Sequence, residues 1–154
     1  MNLHTDPYST FSRYYLVIGA ALAALAVILG AFGAHGLKQV LSPESLTTFE
    51  TGVRYQMYHG LAILALPALI TYSHSRWLNP VALCFVLGCL MFSGSLYALA
   101  MTGAKWFGPI TPLGGVFFIT GWGMVVVGLL EGNKQPGQPK QGQRQEEKKE
   151  DQKP

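Results

Sequence analysis

Charge is what the middle of this chain lacks. Between Tyr14 and Leu130 there are only six Lys, Arg, Asp or Glu: Lys38, Glu44, Glu50, Arg54, Arg76 and Lys105. A water-soluble domain of that composition would expose large apolar patches, which excludes a soluble fold. Cysteine is scarce too. Cys84 and Cys89 are the only two, with no Cys-x-x-Cys and no metal-ligand spacing, and they read as small packing residues. The net charge of +3 comes from the ends and the tail, and no basic-and-aromatic pattern for stacking bases is present, so nucleic acid is not a partner. Catalytic signatures are missing as well. There is no HExxH, no nucleophile–base–orienter set and no paired intramembrane carboxylate. Glu50 is the one plausible base, and Arg54 four residues on explains it as a helix ion pair. The expectation is a protein that is not an enzyme and carries no cofactor or metal.

What is present is apolar sequence in long runs. The chain has 154 residues, enough for one domain, and is 49% hydrophobic. Its mean hydropathy is +0.26 in spite of a polar tail. Tyr14–Ala34 runs without a charge, and about 20 apolar residues span a bilayer core. A cleaved signal peptide fits less well, because the run is long for one and Phe32 spoils a cleavage site at Ala34. Gly19, Ala23, Ala26, Gly30 and Ala34 give this helix one smooth face for close packing.

After His35-Gly36 and a polar connection, Ser42-Pro43-Glu44 reads as a helix start: a cap, a proline for the first turn, and an acid at the positive end of the dipole. An amphipathic lead-in then runs without a break into a second span, Tyr55–Tyr72, which Pro67 should kink. His74-Ser75-Arg76-Trp77 reads as a tight polar turn. A third span covers about Leu78–Met101, and Trp106 in the following loop suits a membrane interface. The fourth, about Thr111–Leu130, starts with Thr111 as cap and Pro112 at the first helical position. Gly114, Gly121 and Gly128 form a glycine stripe along it. Trp122 sits mid-span and reads as core or lipid contact rather than as part of a site.

The fold class expected is therefore all-α: an integral membrane four-helix bundle with an amphipathic lead-in to its second helix and a disordered C-terminal tail. Residues 1–13 form the N-terminus and 14–130 the membrane domain, with spans at about 14–34, 55–72, 78–101 and 111–130. Residues 131–154 hold nothing apolar beyond Pro and Gly and are expected to be disordered. Four spans put both termini on one side. That side carries Arg13, Arg76 and six basic tail residues, against Lys38, Arg54 and Lys105 on the other. The bias places both termini in the cytoplasm.

By this count the polar groups of all four helices gather at one level, toward the outer side. His35 ends the first helix there. Glu50, Arg54, Tyr55, Tyr58 and His59 begin the second, Ser95 and Tyr97 lie in the third, and Thr111 starts the fourth. The favoured reading is a structural network, because buried polar groups usually satisfy one another. The alternatives are a path for a proton or small solute, since intramembrane His and Arg often mark such routes, and haem or metal ligation by His35 and His59 or another redox role linked to a quinone. The partners expected are the lipid bilayer and a second copy or another membrane protein, packed on the small-residue faces.

Four stretches carry a family likeness: GAFGAHGL (30–37), FETGVRYQMYHGLAIL (49–64), FSGSLYAL (92–99) and GPITPLGGVFFITGW (108–122). In this order they resemble the signatures of the small integral membrane family called domain of unknown function 423, the transmembrane protein 256-like proteins. The likeness covers about Tyr14 to Leu130, and the long polar tail is not part of the family pattern. The resemblance implies a four-helix integral membrane protein, in bacteria an inner-membrane one, and it implies no activity.

Overall fold

The computed structural model describes Phe11, residues 13–73 and residues 75–132. The expectations for the N-terminal residues, for His74 and for a disordered tail beyond Gly132 lie outside the described residues.

Helix α1 spans Arg13–His35, about 35 Å at 1.5 Å per residue. Its small-residue seam lies against α2, Pro43–Ala65. A Cβ added to Gly19 would come within 2.9 Å of Ile63 and 3.0 Å of the Gly60 carbonyl. One added to Gly60 would come within 3.0 Å of the Ala23 nitrogen. The two backbones touch there, which only small residues allow. At the far end Gly33, against the Phe49 ring, replaces Ala34 of the expected seam, and Ala34 is exposed.

Helix α2 starts where Ser42-Pro43-Glu44 implies. The Ser42 hydroxyl accepts the Ser45 N–H at 3.2 Å, and Pro43 opens the first turn. The lead-in and the apolar half form one helix. The expected kink at Pro67 is not what occurs. The α-helix stops at Ala65, and Leu66–Thr71 continues as a 3-10 segment with Pro67 in its first turn. A proline there removes no hydrogen bond that the new segment needs.

Helix α3 (Leu78–Gly88), a π turn (Cys89–Ser93) and α4 (Gly94–Thr102) make one rod of 25 residues. Gly103 ends it at φ 68°, a left-handed cap, donating its N–H to the Leu99 carbonyl at 2.8 Å. Helix α5 spans Ile110–Glu131. Pro109, not Thr111, takes the cap position, so Thr111 lies inside the first turn and its side chain is free to reach α4. Glu131 ends this helix instead of opening the tail. A carboxylate at a helix C-terminus is disfavoured by the dipole. Here Arg76 Nη2 (2.6 Å) and Trp77 Nε1 (2.8 Å) both donate to its Oε2, which offsets the cost and ties the end of α5 to the start of α3.

The chain runs up, down, up and down. α1 packs on α2; the rod packs on α2 through α4 and the π turn, and on α5 through α3 and the π turn. The glycine stripe of α5 is the reason the last contact is close. Gly114 sits on the Phe92 backbone, Gly121 under the Phe85 ring and Gly128 beside Trp77. Ile63, Val81, Ala82 and Phe85 form the fully buried centre, and Leu37, Phe49 and Ala100 a smaller core near the α1–α2 turn. Among the described residues, three stretches are long and apolar enough to cross a membrane: Arg13–Gln39, Leu78–Thr102 and Lys105–Glu131. Helix α2, with Glu44, Glu50 and Arg54, is not among them. The described residues thus form an all-α bundle of four long helical rods.

Candidate functional site

The nine polar residues singled out by the sequence do not meet at one level. Antiparallel packing fixes their depths. Gly60 lies against Ala23, halfway along α1, so His59 is at mid-bundle. Tyr97 lies against Gly52 and Phe49, nearer the α1–α2 turn. His35 is at the tip of α1, twelve residues from Ala23, or about 18 Å away from the level of His59. The two histidines therefore cannot face one iron. Among the described residues no group of three His, Cys, Asp or Glu is placed to hold a metal ion.

Three separate polar contacts replace the single cluster. In the first, Gln56 Nε2 donates to the Leu22 carbonyl of α1 at 2.9 Å, and Tyr97 Oη of α4 donates to Gln56 Oε1 at 3.0 Å. One buried amide thus laces three helices. In the second, Ser95 Oγ donates to the Phe92 carbonyl at 3.0 Å and stands 2.7 Å from Thr111 Oγ1, so the Thr111 hydroxyl is the donor between them. That pair joins α4 to α5.

The third contact is centred on His59. Its Nδ1 lies 2.8 Å from the Tyr55 carbonyl, and Trp122 Nε1 donates to its Nε2 at 3.2 Å. A carbonyl needs a donor and an indole N–H needs an acceptor, so the ring is neutral with its proton on Nδ1. Phe118 stacks on the imidazole with centroids 3.5 Å apart and planes at 9°, and Phe85 meets it edge-on at 5.1 Å. Both ring nitrogens are engaged, and the faces are covered by aromatic side chains. Nε2 is not open to a metal in this arrangement.

The remaining candidates stand outside these contacts. Arg54 and Glu50 form an i,i+4 pair at 3.8 Å on the exposed face of α2, at 56% and 48% exposure. Such a pair contributes about 0–1 kcal/mol. Tyr58 is 58% exposed. Tyr55 contributes its carbonyl to His59 and its ring to Phe92, at 4.6 Å. Gln56 and Trp122 were missed as site residues. Gln56 had a signal, as an uncharged amide at the start of the second span, four residues from both Gly52 and Gly60. Trp122 had a general one, because an indole N–H away from water usually finds an acceptor, but nothing in the sequence says that the acceptor is His59.

Below the His59–Trp122 contact the bundle is open on one side. The end of α2 with the 3-10 segment that follows it, on one side, and α5, on the other, leave a groove of about 260 Å³ between them. Ala62, Ala65, Leu66 and Leu69 form one wall, Trp122, Val125 and Leu129 the other, with Phe85 at the back. Arg54 is not among its lining residues.

Residues 29–115 match the family described as "Protein of unknown function (DUF423)". Among curated relatives, a UPF0382 membrane protein of Staphylococcus saprophyticus is 47% identical over 119 residues, which are 77% of this chain and 98% of that protein. A UPF0382 membrane protein of Staphylococcus aureus is 44% identical over 77% of this chain and 97% of its own length. The UPF0382 inner membrane protein YgdD of Escherichia coli is 38% identical over 77% of this chain and 91% of its own. No solved structure matches the chain.

Proposed function

Since the chain belongs to the membrane-protein family of unknown function DUF423, whose name carries no activity to transfer, we propose its role from its geometry: a non-enzymatic helix bundle of the inner membrane whose intramembrane polar groups hold the helices together. The observation that carries this reading is the use of those groups. Gln56, Tyr97, Ser95, Thr111, His59 and Trp122 each bond to a different helix. In hydrocarbon a polar side chain without a partner is costly, so pairing across helices fixes which helices meet and at what height. All four rods cross the bilayer in this proposal. Helix α2 is the least apolar and crosses because α1 and the rod cover one of its faces, while Glu50 and Arg54 sit toward the outer interface. Both termini lie in the cytoplasm, as the excess of Lys and Arg on that side supports.

A partner packed on the small-residue faces loses its motive. The seam of α1 is filled by α2, and the stripe of α5 by Phe92, Phe85 and Trp77. A route for a proton through His59 is the runner-up, favoured by an imidazole at mid-depth. Two measurements separate these readings. Trp122→Phe removes the donor to His59 and keeps an aromatic ring. It is expected to lower stability in mild detergent by about 1 kcal/mol, the typical size of one such bond. Proton leak through proteoliposomes of the native chain is expected to equal that of protein-free vesicles. A leak that rises with protein content and disappears in His59→Phe would replace the structural reading by the transport one.

A further inference from the structure

We propose that the lateral groove between α5 and the end of α2 with its 3-10 continuation seats one acyl chain of a membrane phospholipid, with the lipid's phosphate on Arg76. The inference rests on α5 crossing the bilayer and not on the role given to the polar contacts. The groove begins below Trp122 and ends at Leu69 and Leu129. Along α5, from Trp122 to Leu129, that is about 10 Å. Every lining side chain is apolar apart from the indole nitrogen of Trp122, which is already bonded to His59. Apolar cavities of about 150 Å³ are large enough to take up a benzene, so about 260 Å³ open toward lipid is room for a stretch of hydrocarbon chain.

What marks the occupant as a phospholipid is the end of the groove. Leu129 is followed two residues later by Glu131, and Leu69 is bonded through its carbonyl to Ser73, which lies beside Gly128. Arg76 and Trp77 stand at this same end. The Arg76 guanidinium gives one N–H to Glu131 and keeps a 59% exposed side chain, while the Glu131 oxygen it meets is shared with Trp77. Its charge is balanced by Glu131, so what it offers a phosphate is its remaining N–H donors, and Trp77, whose ring it overlies at 5.4 Å, suits the headgroup level. Chain and headgroup sites are thus placed in the order that a lipid lying along the bundle requires.

The test is a native mass spectrum of the full chain in mild detergent, titrated with palmitoyl-oleoyl phosphatidylglycerol. One bound lipid per chain is expected. Ala65→Phe, which fills the groove from α2, should weaken that adduct at least tenfold. Val125→Phe does the same from the α5 wall and serves if the first variant fails to fold. Leu130→Phe, on the 83% exposed face of α5, should leave it unchanged. Arg76→Gln should weaken it several-fold. Equal adducts in the native and both groove-filled chains would overturn the proposal, as would a dimer mass that the groove-filling residues abolish, which would make a second copy the occupant. An adduct indifferent to Arg76→Gln would overturn the assignment of the phosphate.

Discussion

Replacing Gln56 by leucine lowers the stability of the bundle by about 2–3 kcal/mol, measured as unfolding in mild detergent. The volume is nearly kept, so the loss comes from hydrogen bonds. Gln56 is 4% exposed, and its amide holds the Leu22 carbonyl on one side and the Tyr97 hydroxyl on the other. The Leu22 carbonyl keeps its place in helix α1, but the Tyr97 hydroxyl is left without its acceptor. A buried polar group stranded in this way costs about 1–3 kcal/mol, on top of the bonds lost. Tyr97→Phe removes the hydroxyl itself and costs less, about 1 kcal/mol. The same comparison on the exposed face should give little. Arg54→Ala breaks a solvent-facing pair at 3.8 Å, so its effect stays within about 1 kcal/mol.

The second large effect is expected at Gly114. A methyl group there would overlap the Phe92 backbone nitrogen, and its Cα at 2.7 Å. Backbone cannot rotate aside as a side-chain tip can, so α5 must move away from the π turn. Overpacking of this kind costs about 1–3 kcal/mol, and Gly114→Ala should lie at the upper end. Gly123, nine residues on, gives the control. Nothing lies within 4 Å of the methyl it would gain. Gly123→Ala should therefore raise helix stability by about 0.5–1 kcal/mol, because alanine is the better helix former. The two glycines look alike in the sequence, and opposite signs would locate the packed face of α5.

Much of this architecture is legible in the sequence. Apolar runs and the small-residue stripes found the helices and their packed faces, because both are periodic features of composition. Ser42-Pro43-Glu44 found the start of α2, because capping chemistry is local. Features set by tertiary contact were not legible. The π turn at Cys89–Ser93 carries no local signal; it shifts the phase of the rod so that α3 faces α5 and α4 faces α2. Thr111 looked like a cap and is instead half of a pair with Ser95, since Pro109 already supplies the helix start. The grouping of the polar residues failed for a related reason. Counting along spans placed His59 with Arg54 near the surface. Close contact of Gly60 with Ala23 draws it to mid-depth, where Trp122 and Phe118 enclose it. Depth in a bundle depends on how far one helix slides along another, and single-chain spacing does not contain that distance.

The most direct test of the claim that the polar groups hold the helices together is a double-mutant cycle on Gln56 and Tyr97. The unfolding free energies of the native chain, Gln56→Leu, Tyr97→Phe and the double variant are compared in one detergent. The bond at 3.0 Å predicts a favourable coupling of about 0.6–1.7 kcal/mol, with the double variant less destabilised than the sum of the singles. Strictly additive losses, or no loss at all in Gln56→Leu, would contradict it and leave the intramembrane amide without a structural reason to be there.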